Sequence, residues 1–249
     1  MEFKDHFSKV SKLYSKYRPS YPDELFQYLV SISPSNKIAL DCATGSGQAA
    51  LALAKYFEHV IATDASSSQI ANAFQHEKIE YRVATAEDSK LDDESVDLVT
   101  AAQAVHWFNF ENFFKEARRV LKPDGIIAFW TYSHLHSIHE IDSIIGEFYI
   151  ETINPYWPPE RKFVEEHYKT IPFSFSEISA PQFEIRDRWT LHNITGYLNS
   201  WSAVQRYTEV NGFNPVDQIT GELAKAWGDP DSEKLVRWDL HIRVGKKEK

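Results

Sequence analysis

Short apolar runs recur from residue 37 to residue 131, and the intervals between them are long enough for one helix each. The runs at 37–41, 58–63, 79–84, 96–101 and 125–131 are predicted strands, and segments 47–56, 67–76 and 109–121 are predicted helices. The last of these helices is expected to stop at Lys122-Pro123-Asp124-Gly125, where proline and glycine turn the chain. Such alternation predicts an α/β fold, a parallel sheet with helices on both faces. Beyond Trp130 the pattern changes to Trp- and Tyr-rich helical segments at 138–152, 159–170 and 194–209, with two more strands predicted at 182–190 and 234–244. Near the start, Phe7, Val10, Leu13, Tyr14 and Tyr17 fall on one face of a predicted helix, a stripe that reads first as core packing and is compatible with a lid, since a lid helix must also pack.

The first strand candidate runs into chemistry. Ile38-Ala39-Leu40-Asp41-Cys42-Ala43-Thr44-Gly45-Ser46-Gly47-Gln48 is an apolar strand that ends in a carboxylate and enters a glycine turn before a helix. Glycines at 45 and 47 permit a tight turn and close backbone approach, and the following helix directs unpaired N–H groups at a ligand. Asp64 ends the second apolar run about 20 residues on, where a carboxylate takes ribose hydroxyls. A nucleoside cofactor is therefore expected. Gly45-Ser46-Gly47-Gln48-Ala49-Ala50 also fits a dinucleotide fingerprint, which would mean NAD and an oxidoreductase. Asp41 at the mouth of the turn weighs against a pyrophosphate and for a cationic or amino-bearing ligand.

Further segments follow in order: Asp64-Ala65-Ser66, Ala84-Thr85-Ala86-Glu87, Ser95-Val96-Asp97-Leu98-Val99, and Glu116 through Gly125. Together they resemble the motif series of class I S-adenosylmethionine-dependent methyltransferases with a type 11 domain. The flanks Tyr17-Arg18-Pro19-Ser20-Tyr21-Pro22, Ala104-Val105-His106-Trp107-Phe108 and Tyr197-Leu198-Asn199-Ser200-Trp201-Ser202 resemble the small-molecule branch that includes the trans-aconitate methyltransferases. One departure is Ala43, which stands where the family usually has its first glycine; a methyl there is tolerable if the backbone is not at positive φ.

The resemblance implies a seven-stranded Rossmann-like sheet whose last strand is antiparallel, in a single domain over 1–249. Residues 1–30 would form a lid, 36–133 the cofactor-binding core, 134–180 and 191–232 a helical cap, and 182–190 with 234–244 the final strands. It implies S-adenosylmethionine as cofactor, leaving as S-adenosylhomocysteine. By the same resemblance Asp41 would lie near the amino group of the methionine moiety, with Ala43, Gly45 and Gly47 giving close backbone approach. Asp64 would bind the ribose, Ala65 and Gln69 would lie against the adenine, Ala86 and Glu87 would meet its edge, and Gln103 and Ala104 would flank the methionine chain. His106 is the candidate catalytic residue, either a general base for a hydroxyl or a wall that orients a carboxylate. Trp107, Trp130 and Tyr132 would surround the transferred methyl, and Tyr17, Tyr21 and Trp201 would line the pocket from lid and cap. Arg18 is the expected anchor for a carboxylate of substrate or cofactor, with Arg206 a weaker second. The expected acceptor is a small molecule methylated on a carboxylate oxygen. The alternatives are a hydroxyl, amine or thiol of a lipophilic metabolite, and a module that binds the cofactor without turnover.

Composition narrows the partners. A formal net charge of −9 argues against nucleic acid, whose phosphates need clustered Lys and Arg. Cys42 is the only cysteine, which excludes an intrachain disulfide and fits a cytoplasmic protein. No run approaches the ~20 apolar residues of a membrane helix, so no membrane partner is expected, and the protein is expected to be a monomer or homodimer. The ten histidines are scattered, and no metal is expected. Asn154-Pro155-Tyr156-Trp157 looks like an adenine amino-methyltransferase motif but lies far from the fourth strand, so 154–159 reads as a proline-bounded loop.

Overall fold

The computed structural model describes residues 17–248. The stripe residues Phe7, Val10, Leu13 and Tyr14 lie outside these, and with them most of the expected lid. The chain begins with α1 (Asp23–Ile32) and then alternates β1 (Ile38–Cys42), α2 (Gln48–Leu53), β2 (His59–Asp64), α3 (Ser67–Ala71), β3 (Ile79–Val83) and β4 (Val96–Ala102). After a short turn come α4 (Phe110–Val120) and the long β5 (Leu121–Tyr132). The cap segments are α5 (His139–Glu147), α6 (Arg161–Glu165), α7 (Leu191–Asn199), α8 (Ser202–Asn211) and α9 (Val216–Trp227), interleaved with β6 (Ser176–Ile178) and β7 (Phe183–Trp189) and followed by β8 (Lys234–Lys246).

The strands form one sheet in the order β3-β2-β1-β4-β5-β8-β6, with β7 also paired to β8. Strands β1 to β5 are mutually parallel, and β8 runs antiparallel to β5, β6 and β7. The count is eight rather than the expected seven because the outer edge of β8 is shared: β7 pairs along Lys234–Leu240 and β6 along Val244–Lys246. β6 is only three residues with two of them exposed, too short and too polar to stand out as an apolar run.

Residues alternate between two cores, as a sheet covered on both faces requires. Ala39, Val60, Ala62, Leu98, Ala128 and Trp130 face α1, α2 and the cap helices. Leu40, Cys42, Ile61, Val99, Ile127 and Phe129 face α4 and the 164–175 stretch. Helix α4 is fixed at both ends: the Asn109 side chain accepts from Asn112 N at 3.0 Å, Glu111 lies in the first turn, and Arg118 and Arg119 lie in the last.

Several helical expectations change. The predicted 194–209 helix is broken into α7 and α8 at Ser200–Trp201, where Trp201 is extended at ψ 133 and caps the next helix. The predicted 159–170 helix survives only as α6, because His167 and Tyr168 both adopt positive φ. Helix α9 falls inside the expected helical cap of 191–232, where the sequence pattern delimits no separate helix.

Candidate active site

All five parallel strands end at the same edge, and β1 and β2 are tied together there. Thr44 N donates to Thr63 O at 2.9 Å, and Gly45 N donates to Asp64 Oδ2 at 2.9 Å. The other oxygen of Asp64 accepts from Ser66 N at 2.8 Å. Asp64 thus sits at the end of β2 directly beside the glycine turn, 8% exposed.

Asp41 is in a different position from the one its sequence place suggests. It is fully buried, and its oxygens accept from Thr44 Oγ1 at 2.6 Å and Thr100 Oγ1 at 2.7 Å. Its carboxylate braces the turn from inside. Burial, with Asp64 adding like charge, pushes its pKa up to about 6 despite the two hydroxyl donors. Thr100 is a polar position in the otherwise apolar stretch Leu98–Ala102 of β4, a signal present in the sequence; Thr44 carries none.

The turn itself is a chain of left-handed residues: Ala43 at φ 51, Gly45 at φ 56 and Gly47 at φ 86. The condition under which alanine at 43 would be harmless is therefore not met. A Cβ built on Gly45 meets nothing within 4 Å, whereas one on Gly47 would lie 2.3 Å from Tyr81 Oη. Tyr81, on β3, donates to Phe74 O at 2.6 Å and so closes the turn from the far side, a support that sequence reading missed.

The other predicted cofactor residues gather along the same edge. Ala65 is half-buried; Gln69 and Ala86 are buried at 6% exposure, the former in α3, which Ser66 caps. Glu87 accepts from Asn109 N at 2.9 Å, linking the loop after β3 to the start of α4. Gln103, at φ 54, accepts from Tyr132 N at 2.9 Å and Thr131 Oγ1 at 2.7 Å, clamping the end of β5 to that of β4, and Ala104 is buried beside it. Asp97 of the motif series is at the opposite edge, where it accepts from Ile38 N at 2.9 Å and pairs with Lys122 at 2.8 Å, a staple for the sheet.

Beside Gln103 a cleft opens beneath the cap, with Arg18, His106, Trp107, Tyr132, Trp157, Arg161, Tyr197 and Trp201 among its lining residues. His106 is 8% exposed, with Nδ1 2.7 Å from Tyr168 Oη. Burial, assisted by the Arg161 charge, drives its pKa down to about 3. Arg18 donates to Tyr132 Oη at 3.1 Å and Ser200 O at 3.3 Å, so two of its terminal nitrogens clamp the segment before α1 to β5 and α7. Tyr132, Trp107 and Trp201 line the cleft.

Three aromatic residues and Arg206 fall elsewhere. Trp130 is fully buried, its ring 5.4 Å from Tyr21 and 6.1 Å from Phe26, because its place in β5 turns it toward α1. Tyr21 packs on Trp130 and Tyr132. Tyr17 is 2.7 Å from His192 Nε2 and lies on Gly196, where any Cβ would strike its ring. Arg206 is exposed and does not line the cleft. The guanidinium that lines it together with Arg18 is Arg161, just past the proline-bounded loop, which sequence reading passed over. Among the described residues, no group of three or more His, Cys, Asp or Glu is placed to hold a metal ion, and no helix is long and apolar enough to cross a membrane.

A methyltransferase domain family matches residues 40–129. A Dictyostelium discoideum protein named as a methyltransferase is 35% identical over 254 residues, spanning 99% of this chain and 97% of the relative. The chain belongs to the class I S-adenosylmethionine-dependent methyltransferases. A structure named as that of a type II methyltransferase from Anaeromyxobacter dehalogenans is 42% identical and superimposes with a TM-score of 0.88 over 93% of this chain and 99% of the other. A Haemonchus contortus phosphoethanolamine N-methyltransferase, at 17% identity and a TM-score of 0.52 over 100% of this chain and 61% of its own, shares the fold. The edge of this methyltransferase fits its cofactor: the Gly45 side of the left-handed turn is open, and a carboxylate stands beside it at the end of β2.

Proposed function

We propose that this methyltransferase transfers the methyl group to a carboxylate oxygen of a small-molecule acid. The state of His106 carries the reading. A hydroxyl acceptor must lose a proton, and an imidazole driven to about 3 is too weak a base to take it. A carboxylate is already ionised. When bound, S-adenosylmethionine would supply a methyl on a sulfonium, and its transfer to a carboxylate oxygen would leave a thioether and an ester with no proton to move.

The chain's own residues then have positional tasks. Asp64 and the open side of the turn would hold the ribose end, while Gln103 and Ala104 flank the reacting end. His106, neutral and held by Tyr168, serves as a wall that orients the acceptor. Trp107, Tyr132 and Trp201 exclude water, and holding the reactants in line is worth about 7–11 kcal/mol in favourable cases. Asp41, fully buried behind Thr44 and Thr100, is assigned to bracing the turn rather than to the amino group. The narrower likeness to the trans-aconitate branch, a cytoplasmic location, the single-domain division and a monomeric or dimeric state belong to the same proposal.

The test is transfer of labelled methyl from S-adenosylmethionine to small acids, each paired with its alcohol and amide. The expected product is a base-labile ester formed from acids alone, at a rate nearly flat from pH 6 to 8. Labelled ether from the alcohols, with a rate that climbs with pH, would move the activity to hydroxyls.

A further inference from the structure

We infer that Arg161 is the residue that selects for an anionic acceptor, a reading that rests on the carboxylate proposal above. Two guanidinium groups border the cleft, and the structure treats them differently. Arg18 spends two terminal nitrogens on Tyr132 and Ser200. Arg161 is held from behind: its Nε donates to Tyr149 Oη at 3.1 Å, Tyr149 donates in turn to Glu165 Oε1 at 2.5 Å, and the guanidinium lies 4.4 Å from the centre of the Trp157 ring. Glu165 itself is 3.9 Å from Nε. Its terminal nitrogens have no hydrogen-bond partner among the described residues, although its side chain is only 16% exposed.

That arrangement fixes the plane and direction of the fork before any ligand arrives. An arginine whose Nε is engaged and whose face is stacked loses little further freedom when its terminal N–H groups bind, and their geometry matches a carboxylate bidentately. On the same wall Trp157 Nε1 is buried without a hydrogen-bond partner among the described residues, so it too is a donor left unmatched beside the cleft. His106 is near enough to feel the Arg161 charge, which puts the fork within electrostatic range of the residue proposed to orient the acceptor. Arg161 is thus a specificity-determining residue, and Tyr149, Glu165 and Trp157 are its positioning residues.

The experiment uses the full chain saturated with S-adenosylhomocysteine, titrated by ligand-observed NMR with benzoate, phenylacetate and succinate, each against its amide. At least one acid should bind tenfold or more tightly than its amide. In Arg161→Gln that preference should fall below threefold, and in Arg161→Lys it should fall partway, because a point charge replaces the fork. The affinity for S-adenosylhomocysteine should stay within twofold in both variants, which reports an intact fold. A preference that survives in Arg161→Gln overturns the inference and leaves the carboxylate reading standing. Acids that bind wild type no better than amides overturn both.

Discussion

The carboxyl edge of the sheet and the cleft under the cap lie side by side, yet they are built on opposite plans. At the edge, polar groups answer one another inside the protein: Asp41 with Thr44 and Thr100, Asp64 with Gly45 and Ser66. What remains for a ligand is mostly backbone and one strand-end carboxylate. In the cleft, side chains from segments far apart in sequence converge, and the Trp157 indole N–H has no hydrogen-bond partner among the described residues. A backbone cradle suits a ligand that never changes. A wall of side chains suits one that differs from enzyme to enzyme, since substitution there leaves the turn untouched.

Trp130 tests where the border between the two plans runs, and it gives the largest expected effect. It was assigned to the pocket from sequence but is fully buried between Tyr21 and Phe26. Trp130→Ala should lower stability by about 3–5 kcal/mol, the cost of emptying a large aromatic site in a core. Chemical denaturation reads this directly. A near-normal midpoint combined with a raised acceptor KM would return Trp130 to the pocket and erase the border as drawn.

The two regions also bury one titratable group each, and these should act on stability in opposite directions. Asp41 titrates near 6 when folded against a model value of 3.8, so the folded state holds the extra proton between those values. Its contribution to stability therefore falls as pH rises through that window. His106 is the reverse: folded it titrates at about 3 against 6.5, so the unfolded chain holds the extra proton and stability falls as pH drops below 6.5. Between pH 6 and 4 the two largely cancel in the wild type. Urea midpoints of single variants should separate them by about 1–2 kcal/mol at pH 5 relative to pH 7. Against Asp41→Asn the wild type should gain on acidification, and against His106→Gln it should lose. Parallel curves for either pair would mean that the group is more hydrated than its burial indicates.

The same contrast explains what could be read from the chain. The edge was legible because each of its parts is local: an apolar run, a carboxylate and a glycine turn lie within eleven residues from Ile38 to Gln48, and Asp64 ends the next run. Even there, sequence gave the place of Asp41 but not its direction, since that depends on Thr44 and on Thr100 from another strand. In the cleft, Arg18 and Trp201 were visible through flanking motifs. Arg161 was not, because the roles of Tyr149, Trp157 and Glu165 depend on how the chain winds after α5, where the expected helix continues as a π-helical stretch over Phe148–Ile153 and then a 3-10 turn over Asn154–Tyr156 before α6. Trp130 went to the wrong side because strand alternation says which residues share a face, not which face meets the ligand.

Ala43 offers the smallest effect and the sharpest probe of the cradle. Its φ of 51 puts an L side chain in the left-handed region, between an interior-facing Asp41 and the open turn at Gly45. That conformation costs a non-glycine residue about 1–2 kcal/mol, while glycine brings back about 0.5–1 kcal/mol through the greater freedom of its unfolded chain. Ala43→Gly should therefore stabilise the protein by about 0.5–1 kcal/mol and raise its melting temperature by about 1–4 °C. Because the turn is already in its left-handed form, affinity for S-adenosylhomocysteine should stay within threefold. A lower melting temperature would show that Ala43 is not strained. A large gain in affinity would show that the alanine holds the turn away from its binding shape, so that this edge is less rigid than its internal hydrogen bonds imply.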